Sequence, residues 1–213
     1  VSARGLTPEL LLSAYARGIF PMADSRHSSE IYWIDPRLRG VLPLDGFRVS
    51  RSLRRTIRSA RFALGFDADF AGVLDGCADR AETWINPEIA RLYMELHAAG
   101  HAHSIEVREG GTLVGGVYGV TLGAAFFGES MFSRRTDASK VALAYLVDRL
   151  RLSGFRLFDT QFLTPHLASL GGVEIGRADY HAALDRALAI PARLDTSAPD
   201  PPAQVLQRMT QIS

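Results

Sequence analysis

The chain has 213 residues, of which 47% are hydrophobic and 22% charged, with a formal net charge of +1. Those proportions fit a globular chain of one or two domains and exclude an intrinsically disordered or collagen-like one. Cys77 is the only cysteine, which excludes an intramolecular disulfide and a thiolate metal cluster.

Thr7 is placed to cap a first helix, with Pro8 at its first position, Leu10, Leu11, Ala14 and Tyr15 on an apolar face, and Gly18 at its end. Glu9, Tyr15 and Arg17 interrupt this stretch, so it does not read as a signal peptide, and no apolar run approaches the roughly 18 residues of a membrane helix. We therefore expect a cytoplasmic protein with no membrane partner. From Ile19 to Gly46 the chain is rich in proline, aromatics and arginine, as suits loops and short strands of a small domain.

Between Phe47 and Phe66 stand Arg48, Arg51, Arg54, Arg55, Arg58 and Arg61 without one acidic residue, and a helix is predicted after Ser50. Like charges so crowded repel one another, a cost that an anionic partner removes; phosphates are the natural choice. A solvated helix face is the plainer account of the same run.

After Phe62 strands and helices alternate. Helices are predicted over Asp67 to Cys77 and Pro87 to Ala99, the second capped by Asn86 and ended by Gly100. Strands are predicted over Ser104 to Val107, Leu113 to Val120 and Ala124 to Glu129, with Gly110-Gly111 and Gly123 at the turns. A long amphipathic helix runs from Ala138 to Ser153, followed by a strand over Arg156 to Gln161, a short helix opened by Thr164-Pro165, and a last helix to Ala189 capped by Asp179. This order belongs to the α+β class. The proline-rich stretch from Asp195 to Pro202 reads as a tail tied loosely to the surface. We divide the chain into a small N-terminal domain (residues 1–61), a main domain (62–190) and a C-terminal tail (191–213).

Glu129 ends a strand among large apolar side chains, where a carboxylate needs a reason. Asp159 and Gln161 are two apart on a strand and so share a face, which allows neighbouring strands to present all three to one cleft. A structural hydrogen-bond network explains them as well. His101, His103 and Glu106 read as structural rather than as a metal site, because His103 and Glu106 face opposite sides of a strand. Cys77 reads as core, and so, on sequence alone, do Trp33 and Trp84.

The ordered motifs Ala14 to Pro21, Tyr32-Trp33 through Pro36, Ser50-Arg51-Ser52, Thr83-Trp84-Ile85, Gly100 to Glu106, Leu113 to Val120, Gly128 to Ser133, Ala138-Ser139-Lys140, Asp159-Thr160-Gln161 and Ser169-Leu170-Gly171 resemble those of the leucyl/phenylalanyl-tRNA-protein transferase family. The resemblance covers nearly the whole chain, from Leu10 to Leu188. It implies a small N-terminal domain followed by an acetyltransferase-like (GNAT-like) domain with a mixed, mostly antiparallel sheet.

It also implies transfer of leucine or phenylalanine from aminoacyl-tRNA to proteins with N-terminal arginine or lysine, marking them for degradation by the N-end rule. By family position the catalytic residues are Asp159, Gln161 and Glu129, and the aminoacyl pocket is formed by Trp33, Trp84, Val117, Phe126, Met131 and Leu146. Val117 replaces a larger side chain common in that pocket. The basic surface for tRNA matches Arg48, Arg51, Arg54, Arg55 and Arg58. No metal and no cofactor is required, because the ester carries its own activation; Leu-tRNA, Phe-tRNA and the acceptor protein are the partners of an enzyme expected to be monomeric.

Two rival readings compete. An acyl-CoA-dependent N-acetyltransferase usually holds the pyrophosphate in a glycine-rich loop before the helix that follows the central strand, yet Ser133 to Lys140 contains no glycine. A non-catalytic RNA-binding module leaves Glu129, Asp159 and Gln161 unexplained.

Overall fold

A computed structural model describes residues 6–210 apart from His27, Ser29 and Glu82. The Thr7 hydroxyl accepts from the Leu10 amide and starts α1 (Pro8–Ala16), and Gly18, at φ 73°, takes the left-handed turn that ends it. A two-stranded ribbon of β1 (Phe20–Met22) and β2 (Tyr32–Ile34) follows, then β3 (Leu38–Val41). Ser50 caps the arginine-rich α2 (Arg51–Arg58), which buries Leu53 and Ile57.

Next come β4 (Ala63–Phe66), α3 (Phe70–Ala78) and α4 (Pro87–Ala98), then the antiparallel run β5 (Ala102–Glu109), β6 (Thr112–Leu122) and β7 (Ala125–Ser133). The rest is α5 (Ala138–Leu152), β8 (Leu157–Gln161), α6 (Pro165–Ser169), β9 (Val173–Gly176), α7 (Arg177–Leu188) and α8 (Pro202–Thr210).

Seven strands form one sheet in the order β4-β5-β6-β7-β8-β3-β9, and among its pairs only β7 with β8 is parallel. The expected α+β class with a mixed, mostly antiparallel sheet is what the chain forms. Because β3 lies between β8 and β9, the sheet joins segments from both sides of residue 61. One face is covered by α5 with α2 and α8, through Leu53, Ile57, Phe126, Leu146 and Val205. The other face packs on α1, α3, α4 and α7, through Tyr15, Val73, Tyr93, Phe127 and Tyr180.

Several elements depart from expectation. The helix expected from Asp67 starts only at Phe70 behind its cap Asp69, while Asp67 sits at φ 55° and accepts from the Ser104 amide. Strands β4 and β9 were not expected: each is only four residues long, β4 carries no β-branched residue, and pairing with β5 and β3 makes them strands. Gly176 rather than Asp179 precedes α7, leaving Asp179 in its first turn.

The expected loose tail instead carries α8. Val205, Leu206 and Met209 form a helical stripe buried against α2 and α5, and Arg208 grips Asp148 at 2.8 and 2.6 Å and Asp200 at 2.6 Å. A stripe of three residues directly behind a proline-rich stretch is too short to announce a helix. If α8 is part of the core, Leu206→Ala lowers stability by about 2–5 kcal/mol in urea denaturation; a change under about 0.5 kcal/mol would restore the loose tail.

Candidate active site

The parallel pairing of β7 and β8 runs only from Ala125 opposite Leu157 to Phe127 opposite Asp159. Beyond that point both strands carry an extra residue. On β7, Gly119 pairs with Gly128 and Tyr118 with Ser130, which leaves Glu129 as a bulge. A bulge reverses the facing of every later residue. Phe127 therefore packs with α1 and α4, whereas Met131, four positions on, packs on the side of α5. Gly119 faces the bulge because a Cβ there would collide with the Phe127 carbonyl oxygen.

On β8, Gly40 pairs with Gln161 and Val41 with Asp159, so Thr160 is the extra residue. Gln161 then sits at φ 64°, and the Phe162 amide donates to the Thr160 carbonyl at 2.7 Å, closing a γ-turn. A side chain held in that region costs about 1–3 kcal/mol and persists only where its surroundings enforce it. Between the diverging strands opens a cavity of about 510 Å³, lined by Glu129, Met131, Thr160 and Phe162 together with Ser139 and Leu143 of α5 and His166 of α6. Its size falls within the roughly 300–1,000 Å³ of small-ligand pockets.

The structure brings the expected polar trio together. Gln161 Nε2 donates to Glu129 Oε2 at 3.1 Å, and the Gln161 amide donates to Asp159 Oδ1 at 2.8 Å. Glu129 also accepts from Tyr15 and Tyr93, each at 2.7 Å. Burial pushes the Glu129 carboxyl up to about 7, against the lowering effect of the hydrogen bonds from Tyr15, Tyr93 and Gln161.

Asp159 is fully buried and stands behind Gln161. Arg39 Nε and Nη2 donate to its two oxygens at 2.9 and 2.6 Å, Tyr180 donates at 2.7 Å, and the Gln161 amide supplies the fourth donor. Burial works against the Arg39 charge, but the hydrogen bonds and charge of Asp159 outweigh it and keep the guanidinium protonated. With four donors in place Asp159 orients the Gln161 backbone and has no lone pair to spare for a ligand.

Of the expected pocket residues, Trp84, Val117 and Met131 line the cavity. Phe126 and Leu146 lie fully buried beneath it, Phe126 set edge-on to the lining Phe158 at 5.1 Å. Trp33, in β2, is half-buried against the same core that Trp84 packs on, but it does not line the cavity. The sequence reading missed Thr160 and His166, whose Oγ1 and Nε2 are buried in the cavity wall without a partner among the described residues. It missed Arg80 too, whose guanidinium donates to the Met131 carbonyl at the cavity wall. Their positions depend on bulges and loops that leave no periodic signal.

Arg48, Arg51, Arg55 and Arg58 are exposed, Arg54 is half-buried, and none of the five forms an ion pair among the described residues. Arg54 and Arg58 border a second cavity, of about 570 Å³, against α8. Cys77 is buried in α3, its thiol pushed up to about 12 by burial. His103 pairs with Asp67 at 2.7 Å, and no group of three or more metal-binding side chains occurs among the described residues.

The raised Glu129 carboxyl has a consequence for stability. Its folded value lies above its ordinary 4.5, so its contribution is fully present below about 4.5 and is lost as pH rises through about 7. The loss is on the order of 3 kcal/mol. Glu129→Gln does not titrate, so its stability relative to wild type should climb between pH 4.5 and 7 and level off above; equal pH dependence in both proteins, measured by urea denaturation, would show that Glu129 ionises normally.

Comparison with known proteins gives a consistent picture. Residues 4–37 match the family model described as leucyl/phenylalanyl-tRNA protein transferase N-terminal domain, and residues 41–185 the model described as leucyl/phenylalanyl-tRNA protein transferase. A leucyl/phenylalanyl-tRNA–protein transferase of Cereibacter sphaeroides is 67% identical over 209 residues, covering 98% of both chains. One from Ruegeria pomeroyi is 63% identical over 208 residues, covering 98% of this chain and 99% of its own.

Among solved structures, a GCN5-related N-acetyltransferase-like protein from Streptococcus suis aligns over 65% of this chain and 59% of its own, at 13% identity and a TM-score of 0.36. The L-PGS structure from Bacillus licheniformis aligns over 96% and 76%, at 14% identity and a TM-score of 0.42. Likenesses so slight add no argument. The family models and the close relatives do, and by them this chain belongs to the leucyl/phenylalanyl-tRNA protein transferase family.

Proposed function

We propose that this chain moves a leucyl or phenylalanyl group from tRNA to the α-amino group of proteins that begin with arginine or lysine. The observation that carries the reading is the contact of Gln161 with Glu129, which lines a largely apolar cavity. The cavity takes the aminoacyl side chain between Trp84, Val117 and Met131, a flexible thioether that adapts to either shape. Discrimination against smaller side chains is modest, about 1–3 kcal/mol per methylene, and the tRNA's identity supplies the rest.

Gln161 gives its amide hydrogen to Glu129, so its Oε1 is free to accept from the attacking amine, while Glu129 holds the acceptor terminus. An α-amino group titrates near about 7.7–8.0, so a usable neutral fraction exists without a strong base and positioning suffices. The amine nitrogen bonds to the ester carbonyl carbon, the ester bond breaks, and the proton passes to the leaving ribose oxygen by way of Gln161 or the neighbouring ribose hydroxyl. Asp159, by this reading, acts through Gln161 as a positioning residue.

The arginines of α2, with Arg48, hold phosphates of the acceptor stem and confer affinity without reading sequence. The reading needs no metal, nucleotide or coenzyme and assigns the enzyme to the cytoplasm as a monomer. Among the described residues no helix is long and apolar enough to cross a membrane.

Transfer of labelled leucine from tRNA to a peptide with N-terminal arginine tests the proposal; uptake of an acetyl group from acetyl-CoA without such transfer would replace it. Gln161→Ala should reduce turnover on the order of 10²-fold with tRNA affinity kept; full turnover would remove Gln161 from the mechanism. Replacing Arg51, Arg54 and Arg55 by alanine should weaken tRNA binding and flatten its salt dependence, by about 0.7–0.9 in log–log slope for each phosphate no longer neutralised. An unchanged slope would put the RNA elsewhere.

A further inference from the structure

Resting on the acceptor role just given to Glu129, the oxygens around that residue carry a further step. Tyr15 Oη lies 2.7 Å from Glu129 Oε1, Tyr93 Oη 2.7 Å from Oε2, and the two phenol oxygens are 2.8 Å apart. All three pairs are at hydrogen-bond distance, and each needs a proton between its oxygens. The two phenols bring only two. Neither is a phenolate, since burial, and after it the nearby Glu129, pushes both hydroxyls well above their ordinary 10.

With Glu129 ionised, both phenols donate to it and no hydrogen is left to lie between them. With Glu129 as a carboxylic acid the ring closes in one sense: Oε1–H donates to Tyr15, Tyr15 to Tyr93, and Tyr93 to Oε2. Hydrogen bonds so chained reinforce one another. Gln161 Nε2, at 3.1 Å, then gives Oε2 a second donor, which suits a carbonyl oxygen.

We infer that Glu129 rests as a carboxylic acid in the ring it forms with Tyr15 and Tyr93, that a cationic N-terminus binds in exchange for that proton, and that Tyr15 and Tyr93 are positioning residues whose hydroxyls receive the carboxylate once the proton has left. The balance is simple. The carboxylic acid and the ammonium group become an ion pair, one proton leaves to solvent, and only the O–H bond breaks. The hydrogen bond between Tyr15 and Tyr93 opens as both hydroxyls turn to the carboxylate.

Other titratable and charged groups face this position. Tyr118 of β6 and Cys77 of α3 are kept neutral by burial. Asp159 of β8 is matched by Arg39 of β3 and capped by Tyr180 of α7. Arg80, after α3, is held by the Met131 carbonyl. His166 of α6 is lowered below its ordinary 6.5 by burial and then by Lys140, and Glu129→Gln leaves it in place as an internal control.

The test is the KM for a short peptide with N-terminal arginine, at saturating leucyl-tRNA, from about pH 5.5 to 7.5, where such a terminus stays largely protonated. KM for the peptide should fall about tenfold per pH unit below the bend near 7, while KM for the tRNA stays level. Tyr93→Phe removes a donor that favours the carboxylate and should move the bend to higher pH. Calorimetry in two buffers should show a proton released per peptide bound at pH 6 in wild type and none in Glu129→Gln.

A flat peptide KM, or a Tyr93→Phe bend equal to that of wild type, would overturn the inference. An infrared band of a protonated carboxyl at pH 6, absent from Glu129→Gln, reads the ring in wild type without any acceptor. Its absence overturns the ring and the proton exchange but leaves the acceptor reading standing, whereas a band present with no transfer at any pH overturns the acceptor reading and the exchange with it.

Discussion

The pairing of Arg39 with Asp159 is the constraint on which the site is built. Both side chains are buried, and a charge left there without its partner costs about 3–5 kcal/mol. The guanidinium is also clamped between the rings of Phe20 and Tyr180, at 4.5 and 4.3 Å, and donates to the Gly18 carbonyl at 2.9 Å. One ion pair thus draws the end of α1, β1, β3, β8 and α7 to a single point. Because Asp159 spends one acceptor site on the Gln161 amide, the same pair sustains the left-handed turn that points Gln161 at Glu129.

The second structural device is the fork between β7 and β8. Two parallel strands that stayed in register would bury their edges against each other and leave no room for a ligand. Here each strand gains a residue just past Phe127 and Asp159, and the added twist of a bulge parts them. The bulge on β7 places Glu129 among the tyrosines of α1 and α4 and turns Met131 toward α5, so one local irregularity serves both the polar and the apolar side of the cavity. Burial then does the electrostatic work, holding the Glu129 carboxyl near neutrality.

The sequence by itself determined the local features of this protein. Caps at Thr7, Ser50, Asn86 and Thr164 and the apolar periodicity of α4 and α5 suffice to place those helices, because each depends on neighbours within one or two turns. The motifs around Glu129, Asp159 and Gln161, matched to a family, singled out three residues that meet through Gln161, with Glu129 lining the cavity.

Only the tertiary structure decided how they meet. Tyr15 and Glu129 are 114 residues apart and Arg39 and Asp159 are 120 apart, separations that no local pattern encodes. The rule that residues two apart share a face leads Asp159 and Gln161 into one cleft side by side; the bulge at Thr160 instead sets one behind the other. Likewise β4, β9 and α8 exist because a partner strand or an apolar groove completes them, and Trp33 parts from Trp84 because one lies in β2 and the other in the loop between α3 and α4. Sequence dictates what a segment prefers, and long-range pairing in a dense, low-dielectric interior selects which preferences survive.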